Sequence, residues 1–134
     1  MITIFRPTDR IPVKIGEVTY WLAPLTASEK QELYASFRTK GGEETMDREA
    51  YARTAIKLSL KKVEGVNNPD GTPFEVETDD RGYLTELSLD DVLCLPDDIR
   101  LAACIDRLTY KPQDLLNLDG VEVDLKRVQS VKKK

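Results

Sequence analysis

Ile11-Pro12-Val13-Lys14-Ile15-Gly16-Glu17-Val18-Thr19-Tyr20-Trp21-Leu22 is the stretch that decides the fold class. Ile11, Val13 and Ile15 alternate with Pro12 and Lys14; Val18, Tyr20 and Leu22 alternate with Thr19 and Trp21. Successive side chains of a strand point to opposite faces, so each run has one apolar face. Gly16-Glu17 joins them as a two-residue connection with glycine first, which suits a type II′ hairpin turn. A lone hairpin is marginal in water and needs cover. The cover is expected to be helical. The sequence therefore predicts an α+β fold: a mainly α-helical single domain with an N-terminal β-hairpin. Ile2 and Ile4 are candidates for a third short strand.

The first helix is announced by Leu25-Thr26-Ala27-Ser28-Glu29, a capping box in which Thr26 and Glu29 satisfy each other's backbone N–H. It is expected to reach about residue 38, with Leu33, Tyr34 and Phe37 on one face, before Gly41-Gly42 stops it. A second helix is expected over about residues 47–63. Tyr51, Ala52, Ala55, Ile56, Leu58 and Val63 form its apolar face, Leu60 widens the stripe, and Gly65 ends it. Asn67-Asn68-Pro69-Asp70-Gly71 is a strong turn. Ser88 is expected to cap a short third helix, and a fourth is expected over about residues 96–109 with Leu101, Ala102, Ile105 and Leu108 buried. These elements place a globular domain in residues 1–110. Residues 111–134 are expected to be a weakly ordered tail, in which Asp119-Gly120 is a candidate small hairpin turn.

Composition narrows the function. The chain has 134 residues, 40% hydrophobic and 33% charged, as in an ordinary globular protein. No apolar run approaches the roughly 20 residues that span a bilayer, and the N-terminus lacks a basic region followed by an apolar core. The expectation is a protein that stays where it is made, with no membrane partner. There is no histidine, which removes His-based nucleophilic triads and the commonest general base. Cys94 and Cys104 are expected to be small core residues, and two cysteines without histidine are too few for a usual zinc site. From Glu64 to Asp98 there are eleven acids and one base, Arg81, which disfavours nucleic acid; from Lys126 to Lys134 there are five bases and no acid.

Two acidic features invite a metal-site reading. Aligned as an EF-hand loop, residues 66–77 put Asn68, Asp70 and Glu77 at ligand positions three, five and twelve and Gly71 at the turn position six, but Val66 stands where the first carboxylate is needed. The pairs Asp79-Asp80, Asp90-Asp91 and Asp97-Asp98 suit helix starts and solvated faces better than a two-metal centre, since neighbours on a helix diverge. No catalytic residue, metal or cofactor is expected. Three residues are candidates for protein binding. Trp21 lies on the hairpin face opposite Tyr20 and Leu22, either packed on that side or exposed as an anchor. Tyr51 and Leu58 lie on a stripe broader than one buried side requires, covered by the fourth helix or by a partner.

Two stretches carry a resemblance. One is Val18-Thr19-Tyr20-Trp21-Leu22-Ala23-Pro24-Leu25-Thr26-Ala27-Ser28-Glu29-Lys30, a strand feeding a capped helix. The other is Ala52-Arg53-Thr54-Ala55-Ile56-Lys57-Leu58-Ser59-Leu60-Lys61-Lys62-Val63-Glu64-Gly65-Val66, followed by Asp70-Gly71. Together they resemble the tail assembly chaperones of long-tailed, lambda-like bacteriophages, over about residues 11–109. The resemblance implies a non-enzymatic protein of the host cell cytoplasm that binds the tape measure protein and keeps it soluble until the tail tube polymerises, and that is not expected in the mature virion. It also implies a longer frameshift product that recruits the tail tube protein. A homo-oligomer stays open. Two other readings stand beside it: a phage structural adaptor, such as a head–tail connector or tail completion protein, and a metal-dependent enzyme using the acidic middle.

Overall fold

The computed structural model describes residues 2–35, 48–96 and 98–131. Strands β1 (Asp9–Ile15) and β2 (Val18–Leu22) form the expected antiparallel hairpin, with Ile11 opposite Leu22, Val13 opposite Tyr20 and Ile15 opposite Val18. Gly16 opens the turn at φ 62, a backbone conformation that glycine adopts without steric cost. Strand β3 (Leu60–Glu64) pairs with β2, while β4 (Val121–Val123) and β5 (Gln129–Ser130) pair one after the other with β1. The sheet order is β3-β2-β1-β4, with β5 continuing along the β1 edge. The helices are α1 (Ala27–Ala35), α2 (Arg48–Ser59), α3 (Glu86–Leu93), α4 (Asp98–Tyr110) and α5 (Pro112–Leu115). Among the described residues the fold is thus a mixed α+β arrangement of five helices and a five-stranded antiparallel sheet, and not mainly helical. No helix among them is long and apolar enough to cross a membrane.

One face of the sheet makes the core. Ile11, Val13, Ile15, Tyr20, Leu22, Leu60 and Val63 pack in one cluster with Leu33 of α1, Ile56 and Leu58 of α2, and Leu101, Ile105 and Leu108 of α4. Alternation sends Pro12, Lys14, Thr19 and Trp21 to the other face, and Trp21 lies outside that cluster. The capping box forms as read: the Glu29 N–H donates to Thr26 Oγ1 at 3.2 Å, and the Thr26 N–H donates to Glu29 Oε1 at 2.8 Å. Leu33 is fully buried, whereas Tyr34 turns outward. Phe37 and the Gly41-Gly42 stop lie outside the described residues.

The second helix ends earlier than its apolar stripe suggests. α2 stops at Ser59, and the chain passes directly into β3. The register between β2 and β3 shifts at Trp21/Leu22: Lys62 faces Trp21 and Leu60 faces Leu22, leaving Lys61 as an extra, bulged residue. The bulge puts Leu60 and Val63 on the same sheet face although they are three apart, the spacing that mimics a helix. Burying each of them contributes about 1.5–3 kcal/mol, more than the few tenths per residue by which Leu-Lys-Lys-Val-Glu favours helix. Lys61 also closes the helix end: its Nζ donates to the carbonyls of Leu58 at 3.0 Å and Gly82 at 2.7 Å. Ser59 fixes the junction to the hairpin, its Oγ donating to the Ala23 carbonyl and its own carbonyl accepting from the Ala23 N–H. Gly65 then ends β3, where a Cβ would stand 2.5 Å from the Glu17 carbonyl oxygen.

Three other expectations change. The cap of α3 is Thr85, whose hydroxyl accepts the Ser88 N–H at 3.3 Å; Ser88 is buried and its Oγ accepts the Glu77 N–H at 2.8 Å. Residues 112–131 pack onto the sheet and helices, where an appended tail was expected. Leu115 is fully buried, Val121 and Val123 face Ile15 and Val13 across β1–β4, and Ser130 Oγ donates to Asp9 at 2.8 Å. The partner of this segment is β1, more than a hundred residues earlier, and not a local hairpin around Asp119-Gly120. Ile2 and Ile4 join no strand and are exposed.

Candidate functional site

The three residues singled out from sequence do not come together. Leu58 is 1% exposed and belongs to the core. Tyr51, at the other end of α2, is half-buried against that core, and its hydroxyl donates to Asp106 Oδ1 of α4 at 2.5 Å. Burial first, and then this bond to a carboxylate, raise the Tyr51 phenol far above its ordinary pKa. α1, α3 and α4 all pack against α2, which explains its broad stripe as a central position in the domain.

Trp21 sits on the far side of the sheet and is 4% exposed, so it is covered without being in the core. The cover is polar. Its indole N–H donates to Glu64 Oε1, the Arg127 guanidinium lies 5.2 Å from the ring centroid, and Lys62 Nζ lies 5.8 Å from it. Arg127 also bridges to Glu64 at 3.1 Å. The indole hydrogen bond holds the Glu64 carboxyl below its ordinary pKa; burial opposes it, and Arg127 adds to the lowering. The arrangement fastens the C-terminal segment to the sheet, because cation and ring attract and Glu64 ties them both. Beside it runs a groove of about 820 Å³ lined by Lys14, Glu64, Glu122, Asp124 and Arg127. Within it Arg127 bridges Glu64, and Lys14 stands opposite Glu122 in the β1–β4 register.

Two large apolar residues of the helices are also uncovered. Ile99, at the start of α4, is 80% exposed, and Leu87, at the start of α3, is 79% exposed. A groove of about 420 Å³ runs between α2, α3 and α4, with Ala52, Leu93 and Ile99 as its apolar lining. Among the described residues, Glu49, Asp90, Asp98 and Arg53 stand on its walls. Isolated exposed apolar residues need no explanation, but Ile99 lines this groove together with Ala52 and Leu93, a surface that suits protein contact. The chain matches no family model, no curated protein and no solved structure.

Asp70 and Asp79 are held in local turns. Asp70 accepts from the Thr72 N–H at 3.0 Å and the Thr72 hydroxyl at 2.6 Å, within a turn closed by the Gly71 N–H on the Asn68 carbonyl. Asp79 accepts from the N–H groups of Arg81 and Tyr83 in the same way. Among the described residues, no group of three or more His, Cys, Asp or Glu is placed to hold a metal ion. Cys104 is buried as expected, and burial pushes its thiol up to about 11; Cys94, expected in the core, is exposed.

Sequence reading missed Leu87, Leu93 and Ile99. The signal for Leu87 was a leucine one residue off the buried Ser88-Leu89-Val92 side of α3, with carboxylates three and four residues on. The signal for Ile99 was similar, an isoleucine in the first turn of α4 that Leu101, Ala102, Ile105 and Leu108 leave on the other side.

Proposed function

We propose that this protein is a tail assembly chaperone of a long-tailed bacteriophage. It binds the tape measure protein in the host cell cytoplasm, keeps it soluble before the tail tube polymerises, and does not remain in the mature virion. The observation that supports the protein-binding part of this reading is the exposure of two large apolar residues on the helices, Leu87 and Ile99. The resemblance of Val18–Lys30 and Ala52–Val66 to the chaperone family names the client. Those two stretches are also neighbours in space: β2 pairs with β3, and Ala23 and Ser59 exchange hydrogen bonds at the junction. They therefore form one structural unit, as a shared family core would. A frameshifted longer form that meets the tail tube protein belongs to the same proposal. The test is co-expression with the tape measure protein of the same phage. A tape measure protein that moves from the insoluble to the soluble fraction supports the reading; one that stays insoluble at equal expression refutes it.

A further inference from the structure

We infer that residues 124–131 form a releasable strap over the outer face of the sheet, and that its opening, with the core still closed, controls access to Trp21. This strap does not depend on the identity of any client. Trp21 is the only tryptophan of the chain and is 4% exposed, yet it lies on the sheet face away from the core cluster. Its cover includes Lys62 of β3 and, from the far end of the chain, Arg127. Arg127 sits in a short 3-10 turn (Leu125–Arg127) between β4 and β5. Of residues 124–131 only Val128 is half-buried and packs against the core cluster; the other seven are exposed. The least buried segment therefore covers a large aromatic ring, and it has little apolar burial of its own to hold it down.

The attachments of the strap are few and lie at the boundary with water. The Asp124 N–H donates to the Pro12 carbonyl at 3.2 Å, and the Val131 N–H donates to the Thr8 carbonyl at 2.7 Å. Between them β5 pairs Gln129 and Ser130 with Arg10 and Asp9, and Ser130 Oγ donates to Asp9 Oδ1 at 2.8 Å. The remaining hold is Arg127 itself, on the Trp21 ring and on Glu64, with the two side chains of the ion pair 50% and 33% exposed. An exposed ion pair and an exposed cation–π contact each contribute little. The residues just before are held differently: Leu115 is fully buried, and Leu118, Val121 and Val123 pack against the core cluster. The strap hinges where that burial stops, at residue 124. A molecule approaching the outer face meets the indole only in the open state, so the open fraction scales its apparent affinity.

Hydrogen exchange by NMR on the full chain reads both ends of the strap, the Val131 amide and the single indole N–H of Trp21. In the wild type both are expected to exchange faster than the Ile105 amide of α4, and at rates that low urea leaves unchanged, since opening a strap exposes little surface. Arg127→Gln is expected to speed both by about tenfold, for the loss of a weak ion pair and a cation–π contact. Ser130→Ala is expected to speed both by about fivefold, for the loss of one hydrogen bond. Arg127 and Ser130 are exposed, so both variants are expected to keep the wild-type fold, checked by circular dichroism. Ser130 is the decisive position, because it is tied to Asp9 and reaches Trp21 only through the strap. Indole exchange that stays at the wild-type rate in Ser130→Ala, while Val131 exchange speeds up, overturns the inference, because the two ends then move independently. So does Val131 exchange that matches Ile105 in rate and urea dependence in the wild type, because the segment then opens only with the whole fold.

Discussion

Replacing Leu58 by alanine separates a core role from a surface role for α2. Leu58 is 1% exposed in a cluster that includes Ala55, Ile56, Leu101 and Ile105. Three carbons leave the core, which costs about 2.4 kcal/mol at roughly 0.8 kcal/mol per methylene. The cavity that remains raises the total to about 3–4 kcal/mol, inside the observed span for buried leucines. Unfolding entropy of about 2.1 cal/mol/K per residue gives about 0.28 kcal/mol/K for a chain of this length. The melting temperature is therefore expected to fall by about 11–14 °C. Ile99→Ala, at a position 80% exposed, is expected to stay within about 0.5 kcal/mol, or under about 2 °C. Tyr51→Phe falls between, at about 1–2 kcal/mol, because it leaves the Asp106 carboxylate without the phenol donor at a half-buried site. Urea unfolding followed by circular dichroism reads all three, and an unchanged slope on denaturant keeps the comparison valid. A Leu58→Ala variant within about 0.5 kcal/mol of wild type would put this side of α2 on the surface and refute the packing argument.

Three more outcomes are expected. The Glu64 carboxyl is held low by the Trp21 indole and Arg127, so its stabilisation is present above its ordinary pKa of 4.5 and is lost as pH falls through the lowered value. Acid titration of stability in Glu64→Gln should lack that limb, and an identical acid profile would contradict the assignment. Ellman's reagent at about pH 8 should label the exposed Cys94 in the native protein and the buried Cys104 only after denaturation. Hydrogen exchange should show Val121–Val123 protected with β1, and exchange as fast as in a free peptide would restore the expectation of a loose tail.

Legibility in the sequence followed the range of the interactions. The hairpin and the Thr26–Glu29 box were readable because everything that fixes them lies within a few residues. β3 was misread because a bulge at Lys61 gives a strand the three-residue spacing of a helix. β4 and β5 carry short, weak patterns of their own, and their partner β1 stands at the other end of the chain. Trp21 was readable as lying off the core face. Its cover was not, because Arg127 reaches it from the last strand region. The candidate site was the least legible part. Tyr51 and Leu58 drew attention because they are apolar and periodic, which is the mark of core. The surface residues Leu87 and Ile99 break that periodicity, and only the packed fold shows which apolar residues have been left without cover.

The most direct test of the chaperone reading uses purified components. The tape measure protein is diluted from denaturant into buffer, with and without an equimolar amount of this protein, and light scattering is followed. The account predicts that scattering is suppressed and that the two proteins elute together on size exclusion. Aggregation at the same rate and extent in both samples, with no co-elution, would contradict it.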